Sequence, residues 1–459
     1  MSQNAPIDKL PVELLAEIFK AFAASSNPKL LDLGVVALCL VGKHWNAVAN
    51  RTPELWTSIN ITFPFTQDNL AAAFRRIQTS RQEEIDISID FREPDWDGDE
   101  DLDDDADIGA MKESIWVQNI MTVLGGTEPR WKSIKVVSEA WLPLYQLMGA
   151  WKSTNLPSLQ SISMERANTM FGMLNVRFDP ELLMYPMPLF GRKASFPKLR
   201  DLSLSAVHVD WNDICVGFKD LRKLEIKNIT RDVCPTFDEF AAMLSTSPRL
   251  ECLDISGFCP VPPGPGAPAA PLLKLPALKE FTFGWKDVDF CCSFLETFQI
   301  GNTLETLTLL DTESGYGCWR DPQTGVRRWV RSSEGIFEVL CRLGMRVQRN
   351  ETDLQQAGFI SMRGVKRLGI AWTMVNQDSA LIPFLGMLTE LEEVKLEDVD
   401  GRVLEAIAWV EGGKAMEDRR LRTVDLQWRW QERISSSAEG PILHLKGAGV
   451  SVSAQAVEK

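Results

Sequence analysis

The sequence predicts an α/β chain in two parts: a small helical module, then a solenoid of stacked strand–helix units with parallel strands. Two observations predict it. In the first 50 residues the apolar side chains recur at helical spacing, and from Trp131 to Leu426 an apolar-x-x-apolar-x-apolar pattern keeps returning. At 459 residues the chain exceeds one small core, so a small domain followed by a large or repetitive one is the default.

The module comes first. From Pro11 onward, Leu14, Leu15, Ile18, Phe19 and Phe22 fall on one side of a helix, with Pro11 in a tolerated first-turn position and Asp8 placed to cap it. A second apolar stretch runs from Leu30 to Leu40. A third short helix covers roughly Lys43 to Asn50, with Trp45, Val48 and Ala49 facing inward. Three short helices enclose very little core, which is a reason for such a module to offer an apolar face to a partner.

The ordered set Leu10-Pro11, Glu13, Ile18-Phe19, Val41, Trp45, Pro53 and Leu55-Trp56 resembles the F-box, the docking module of Skp/cullin/RING ubiquitin ligases. The resemblance implies that Leu10, Pro11, Leu14, Leu15, Ile18, Val41 and Trp45 form the surface that binds a Skp-type adaptor, or the core directly beneath it, and that the adaptor links the chain to a cullin and a RING subunit. The spacing from Phe19 to Val41 is a few residues longer than usual, with Ser25-Ser26-Asn27-Pro28 as the apparent insertion.

The repeat pattern reads Trp131/Ile134/Val136, Leu159/Ile162/Met164, Leu199/Leu202/Leu204, Leu221/Leu224/Ile226 and Leu250/Leu253/Ile255. It continues with Leu278/Phe281/Phe283, Leu304/Leu307/Leu309, Val365/Leu368/Ile370, Leu391/Val394/Leu396 and Leu421/Val424/Leu426. Most steps fall near 20–29 residues, the spacing of leucine-rich repeats. The alternating positions make each unit a short strand with one buried face. Helix-spaced stretches lie between, such as Phe237, Phe240 and Leu244, or Ile336, Phe337, Leu340 and Leu343. One strand and one helix cannot bury their apolar faces alone, so neighbours stack.

This part resembles a leucine-rich-repeat solenoid, an irregular horseshoe with parallel strands on its concave side. The chain as a whole resembles fungal-type F-box proteins with degenerate repeats. The expected division is 1–60 as the F-box-like domain, 61–130 as a connecting segment, and 131–459 as the repeats. The Asn or Cys that normally forms a turn ladder is replaced by Val207, Ile229, Phe258, Lys286 and Thr312, so the turns need other hydrogen-bond partners. Trp285, Trp372 and Trp428 recur seven residues after their anchors, where they are expected to cap strands or cover turns.

Residues 164–198 and the stretch CWRDPQTGVRRWVR within 316–331 stretch two of the steps and are expected to project as insertions. The acidic block 93–107, EPDWDGDEDLDDDAD, and the Pro-rich stretch PVPPGPGAPAAP over 260–271 are expected to be solvated loops.

Side chains alternating with the buried positions face the concave side, which gives the candidate cargo-binding residues Glu225, Lys227, Asp254, Lys395, Glu397 and Asp425. Arg328 and Trp329 join them, because Arg and Trp dominate interface hot spots. The net charge of −14 speaks against a nucleic-acid partner. The longest near-apolar run, Leu33 to Gly42, is too short to cross a bilayer. The start, MSQNAPIDKL, lacks the features of a signal peptide, so a cytoplasmic or nuclear location is expected.

The nine cysteines, including Cys291 and Cys292, show no C-x-x-C pair and read as small buried apolar residues in a reducing compartment. His44, His208 and His444 have no metal-ligand spacing. The acidic block misses the calcium-loop register, with Glu100 where Gly is needed and Ala106 where the bidentate Glu belongs. No metal, cofactor or catalytic residue is expected, Cys318 included. Three functions remain open: a ligase substrate receptor, a repeat scaffold outside the ubiquitin system, or a GTPase regulator using an Arg of the 318–331 insertion.

Overall fold

The structure, a computed structural model, describes residues 10–25, 28–93, 106–152, 155–167, 177–178, 180–190, 196–257, 259–261, 272–285, 294–311, 317–320, 327–330, 359–371, 381–397, 399, 401–414, 419–428 and 439–456. The chain falls into two compact units, Met1–Asn168 with Tyr185–Leu202, and Thr169–Met184 with Ser203–Lys459.

The first unit begins with α1 (Val12–Ser25), α2 (Pro28–Val41), α3 (Lys43–Asn50) and a 3-10 turn, Pro53–Trp56. It continues through β1 (Ser58–Thr62), α4 (Gln67–Thr79), β2 (Ile85–Asp90), α5 (Ala106–Leu124), β3 (Trp131–Ser138), α6 (Trp141–Trp151) and β4 (Ser161–Arg166). The four strands pair in parallel in chain order. Ile59, Ile87, Ile134 and Ile162 stand in one cross-strand register and are all buried. β-branched side chains stacked on the pleat are what makes such a row favourable.

Strands β1 and β2 extend the parallel sheet N-terminally of the repeat pattern. Residues 61–130 hold β2, α4 and α5, and the parallel sheet already starts at Ser58. The alternation in INIT and IDISID was visible; Trp56 stands at the anchor position before the first, and Glu84 before the second. Trp131, Trp151 and Phe190 fill the core of this unit, with ring centroids 6.1 Å and 5.5 Å apart along the series.

β5 (Asp201–Ser205) spans the division between the units, and α7 (Trp211–Gly217), β6 (Lys223–Ile229), α8 (Phe237–Ser245) and β7 (Cys252–Gly257) follow. Next come β8 (Leu273–Lys274), β9 (Glu280–Trp285), β10 (Phe298–Ile300), β11 (Thr306–Asp311), β12 (Gly317–Arg320), β13 (Arg327–Val330), β14 (Phe359–Ile360) and β15 (Arg367–Ala371). The last elements are α9 (Leu381–Met387), β16 (Glu393–Glu397), α10 (Gly401–Gly413), β17 (Thr423–Trp428), α11 (Glu439–Gly447) and β18 (Ser451–Ala456).

In the second unit the order β6-β7-β9-β11-β15-β16-β17-β18 is parallel throughout. The short strands β8, β10 and β14 form a separate parallel ladder with β10 in the middle. All thirty anchor side chains of the repeat pattern are buried, none more than 6% exposed. Phe281, Phe283, Phe294 and Phe298 replace leucines in the core, and the Phe294 and Phe298 rings meet edge to face at 4.9 Å. α8 starts at a capping box in which Thr236 and Glu239 bond reciprocally, as the S/T-x-x-E pattern dictates.

Where consecutive strands begin, a backbone ladder joins the repeats. The Arg222 carbonyl accepts the N–H groups of Glu251 (2.8 Å) and Cys252 (2.9 Å). The same double acceptance recurs at Glu251, Lys279, Glu305, Lys366 and Glu392, each serving the next strand. Each of these residues directly follows a repeat anchor, and with Arg422 the series alternates strictly in charge. Ion pairs run along it, Arg222–Glu251 at 3.2 Å and Lys279–Glu251 at 2.6 Å among them. That alternation is readable in the sequence once the anchors are aligned.

One further expectation changes. The described part of 164–198 does not simply project: Phe178, Met187, Leu189 and Phe190 are buried, although Leu182 and Tyr185 are exposed. The Phe178 N–H donates to Asp232 (2.9 Å), and His208 Nε2 lies 2.9 Å from the Met184 carbonyl oxygen. The 316–331 stretch does contain two strands, β12 and β13, which pair antiparallel with Trp319 opposite Arg328 and Cys318 opposite Trp329. The Asp8 cap, Phe258, Lys286, Cys291, Cys292, Thr312, Arg331, the helix at 336–343, Trp372, most of the acidic block and of the Pro-rich stretch lie outside the described residues, as do the side chains of Trp285, Cys318, Arg328, Trp329 and Trp428.

Candidate functional site

Two apolar rows run along α1, offset by one residue. Leu15 and Phe19 point into a small core with Val35, Val48, Ala49 and Leu55. Leu14, Ile18 and Phe22, spaced by four residues and therefore on one ridge, face outward; Leu14 is 54% and Ile18 47% exposed. Val36, Leu33, Leu40 and Val41 of α2 are exposed as well, Leu40 by 79%. Contiguous exposed apolar side chains of this kind mark interaction sites in soluble proteins. α1 and α2 approach closely where a Cβ on Gly34 would collide with the Phe22 ring.

Of the residues expected to bind an adaptor, Leu14, Ile18, Val41 and Pro11 are at the surface and Leu10 and Trp45 are half-buried. Trp45 packs on Phe19 at 5.2 Å. Leu15 is fully buried in the module's own core and offers no surface itself, so it lies beneath the outward ridge. Phe22, Leu33, Val36 and Leu40 were not singled out. Their signal was present in α2, whose sequence PKLLDLGVVALCLV carries more apolar side chains than one buried stripe can use. The longer Phe19–Val41 spacing falls between helices: α1 ends at Ser25 and α2 opens on Pro28, the residue type favoured at a first helical position.

The module is fastened to the Pro53–Trp56 turn and to α4. Trp56 Nε1–H donates to the Ala49 carbonyl at 2.9 Å, and the Arg76 guanidinium of α4 lies over the Trp56 ring, 5.5 Å from its centre. Lys20 bridges to Glu54 at 2.8 Å. Its hydrogen bond holds the Glu54 carboxyl below, and the Lys20 ammonium above, their ordinary values.

The open face of the second unit carries the other candidates. In register across the strands stand Glu225, Asp254, Thr282, Thr308, Gly369, Lys395, Asp425 and Ser453. The early part of this face is closed on itself. Glu225 pairs with Lys223 at 2.7 Å and takes the Ser203 hydroxyl hydrogen at 2.6 Å, while Lys227 pairs with Asp254 at 2.7 Å. Burial alone would push Glu225 up, but these hydrogen bonds and the Lys227 charge carry it below its ordinary value. Lys227 is raised, because its two carboxylates outweigh its burial.

Asp254 goes the other way: burial pushes it up despite Lys227. The cause is geometric. Lys227 holds Oδ2, whereas Oδ1 is buried with no hydrogen-bond donor among the described residues. The pair thus stabilises the ammonium fully and the carboxylate only in part.

The later part of the face is open. A cavity of about 400 Å³ is lined by strands β11, β15, β16 and β17. Gly369 sits in the strand register where its neighbours carry side chains, and a Cβ there would come within 2.9 Å of Thr308. Arg367 leans on Thr306 (2.9 Å), and Asp425 accepts from Gln427 (3.1 Å) and Ser453 (2.8 Å). Lys395 and Glu393 are exposed and make no ion pair with any described residue. Lys395, Glu397 and Asp425 therefore share one cavity, and Glu225, Lys227 and Asp254 form a separate neutralised cluster. Arg367 and Gly369 of the cavity were not singled out, since Gly369 departs from the polar alternation and shows no charge.

The model of the F-box-like family matches residues 7–62. No curated protein sequence matches the chain. Among solved structures, a chain of the yeast Rad7 and Elc1 complex is 11% identical with a TM-score of 0.36, covering 97% of this chain and 93% of that one. The leucine-rich-repeat-containing protein LegL7 from Legionella pneumophila is 12% identical with a TM-score of 0.37, covering 85% and 98%. The N-terminal segment is thus F-box-like, and the rest of the described chain is a mixed α/β array with an unclosed parallel sheet. Among the described residues no helix is long and apolar enough to cross a membrane.

Proposed function

We propose that this chain is a non-catalytic substrate receptor of a Skp/cullin/RING ubiquitin ligase, acting in the cytoplasm or nucleus. The observation that carries the reading is the exposed apolar ridge Leu14, Ile18 and Phe22, with Leu40 and Val41, inside the segment that matches the F-box-like family. F-box domains bind Skp-type adaptors, and an uncovered ridge on an otherwise well-packed module is what such docking requires. Covering the exposed part of each of those side chains contributes on the order of 1 kcal/mol, so several together are needed to hold an adaptor.

The degenerate repeats then select a protein target on the open sheet face. The cavity around Gly369 and Lys395 offers a place for a cargo side chain, since it combines a recess with Lys395 and Glu393, which make no ion pair with any described residue. The self-paired Glu225–Lys227–Asp254 cluster orders the wall beside it. No catalytic group is invoked; the chain supplies proximity. Proximity labelling of the full chain and of a chain lacking residues 1–60 tests the reading. Ligase subunits should disappear from the shorter chain's neighbours while cargo remains. An unchanged set of neighbours for both leaves the repeat scaffold outside the ubiquitin system as the better reading.

A further inference from the structure

Cys234 and Cys259 lie on adjacent backbone segments of the second unit. Thr236 and Val261 form a parallel bridge, and the Val261 N–H donates to the Pro235 carbonyl at 2.9 Å. Cys234 directly precedes Pro235 and Cys259 lies two residues before Val261, so both cysteines flank that backbone contact. The two thiols are close enough to act on each other electrostatically, and both are buried; the Cys234 thiol also lies 3.6 Å from the Ile229 carbonyl oxygen. Among the described cysteines no other two show such contact.

We propose that Cys234 and Cys259 form an oxidisable pair, a disulfide site that closes one whole repeat containing α8 and β7. With hydrogen peroxide as the oxidant, the Cys234 sulfur attacks a peroxide oxygen. An S–O bond forms, the O–O bond breaks, and water leaves after taking up the thiol proton. The Cys259 sulfur then attacks the sulfenic sulfur; the S–S bond forms, the S–O bond breaks, and a second water carries off the oxygen with the Cys259 proton. Two thiols and one peroxide give one disulfide and two waters. Burial and the neighbouring Cys234 thiol push Cys259 well up from its ordinary value, so thiolate is scarce and the reaction is slow. The site therefore responds to sustained oxidation. The link would join the trailing ends of β6 and β7, the strands that carry Lys227 and Asp254.

The test uses the full-length chain. It is incubated with hydrogen peroxide, its remaining thiols are blocked with N-ethylmaleimide while still folded, and it is digested with trypsin without reductant. The expected product joins residues 232–249 to residues 250–274, two hydrogens lighter than the separate peptides, with fragmentation placing the link at Cys259 and not at Cys252. The product returns to two peptides with dithiothreitol. The oxidised chain should melt roughly 5 °C or more higher, a shift absent from Cys259→Ala. Free thiols at both positions after prolonged peroxide, or a link made equally to Cys252, would overturn the proposal. So would a link that forms only after denaturation. The mass result on the unsubstituted chain decides even where the variant folds poorly.

Discussion

The α1–α3 module and the repeats use apolar side chains in opposite ways. In the repeats every anchor is buried and the open face is charged or small; in the module Leu14, Ile18, Phe22, Leu33, Val36, Leu40 and Val41 are exposed beside a minimal core. Burial is the default destination of such residues, and the exposed set is the surface that the proposed adaptor would cover. The same contrast recurs within the second unit. Lys227 and Lys223 are held by carboxylates, whereas Lys395 lines a cavity and makes no ion pair with any described residue.

The contrast is broken or sharpened by substitutions on its two sides. The largest effect is expected in the repeats. Phe240→Ala, in the buried aromatic cluster with Phe294, should cost about 3–5 kcal/mol of stability in urea denaturation. Leu14→Asp, one residue from the buried Leu15, should stay within about 0.5 kcal/mol of the original. If both destabilise alike, the outward ridge is in fact core.

A smaller effect is expected on the open face. Lys227→Met removes the partner of the half-buried Glu225 and Asp254 and should cost about 1–3 kcal/mol. Lys395→Met should leave stability unchanged but weaken cargo capture, read by co-purification. Equal melting points for the two variants would erase the distinction between the closed and open parts of the face.

The dependence on pH is smaller again. Burial holds His208 below its ordinary value, against the Met184 carbonyl and nearby Asp232 and Asp210. The unfolded chain therefore binds the proton first as pH falls. The contribution of the neutral ring is fully present above the unfolded value, near 6.5, and is lost as pH falls below it toward the lower folded value. His208→Gln should flatten that part of a stability–pH profile.

Smallest of all is salt. The alternating series from Arg222 to Arg422 is solvent-exposed, so raising sodium chloride to 0.5 M should cost less than about 1 kcal/mol. A large salt effect would show that the ion pairs, rather than the backbone ladder beneath them, hold the repeats in register.

Much of this architecture was legible in the sequence. The ten anchor triplets named their strands, because period-2 burial leaves an unambiguous trace. The three helices of the module followed from periodicity and from Pro11 and Pro28. β1 was missed although Trp56/Ile59/Ile61 fits the pattern, whereas β2 and β18 have Glu84 and Gly449 where an apolar anchor would stand, and β18 is an edge strand with little to bury. At the sites, spacing said which residues lie on a face but not which of two adjacent ridges looks outward. Leu15 was therefore grouped with the outward-facing Leu14. Cavities are less legible still: Gly369 matters by lacking a side chain, and nothing local distinguishes it from a weak strand residue.

The central claim is that the outward ridge of α1 and α2 binds a Skp-type adaptor. Calorimetric titration of purified adaptor into the full-length chain tests it directly, comparing the natural sequence with Leu14→Asp combined with Ile18→Asp. Stoichiometric binding is expected for the former and binding weaker by roughly a hundredfold or more for the latter, with both melting alike. Binding of equal strength by the two, or none by the natural sequence, would contradict it.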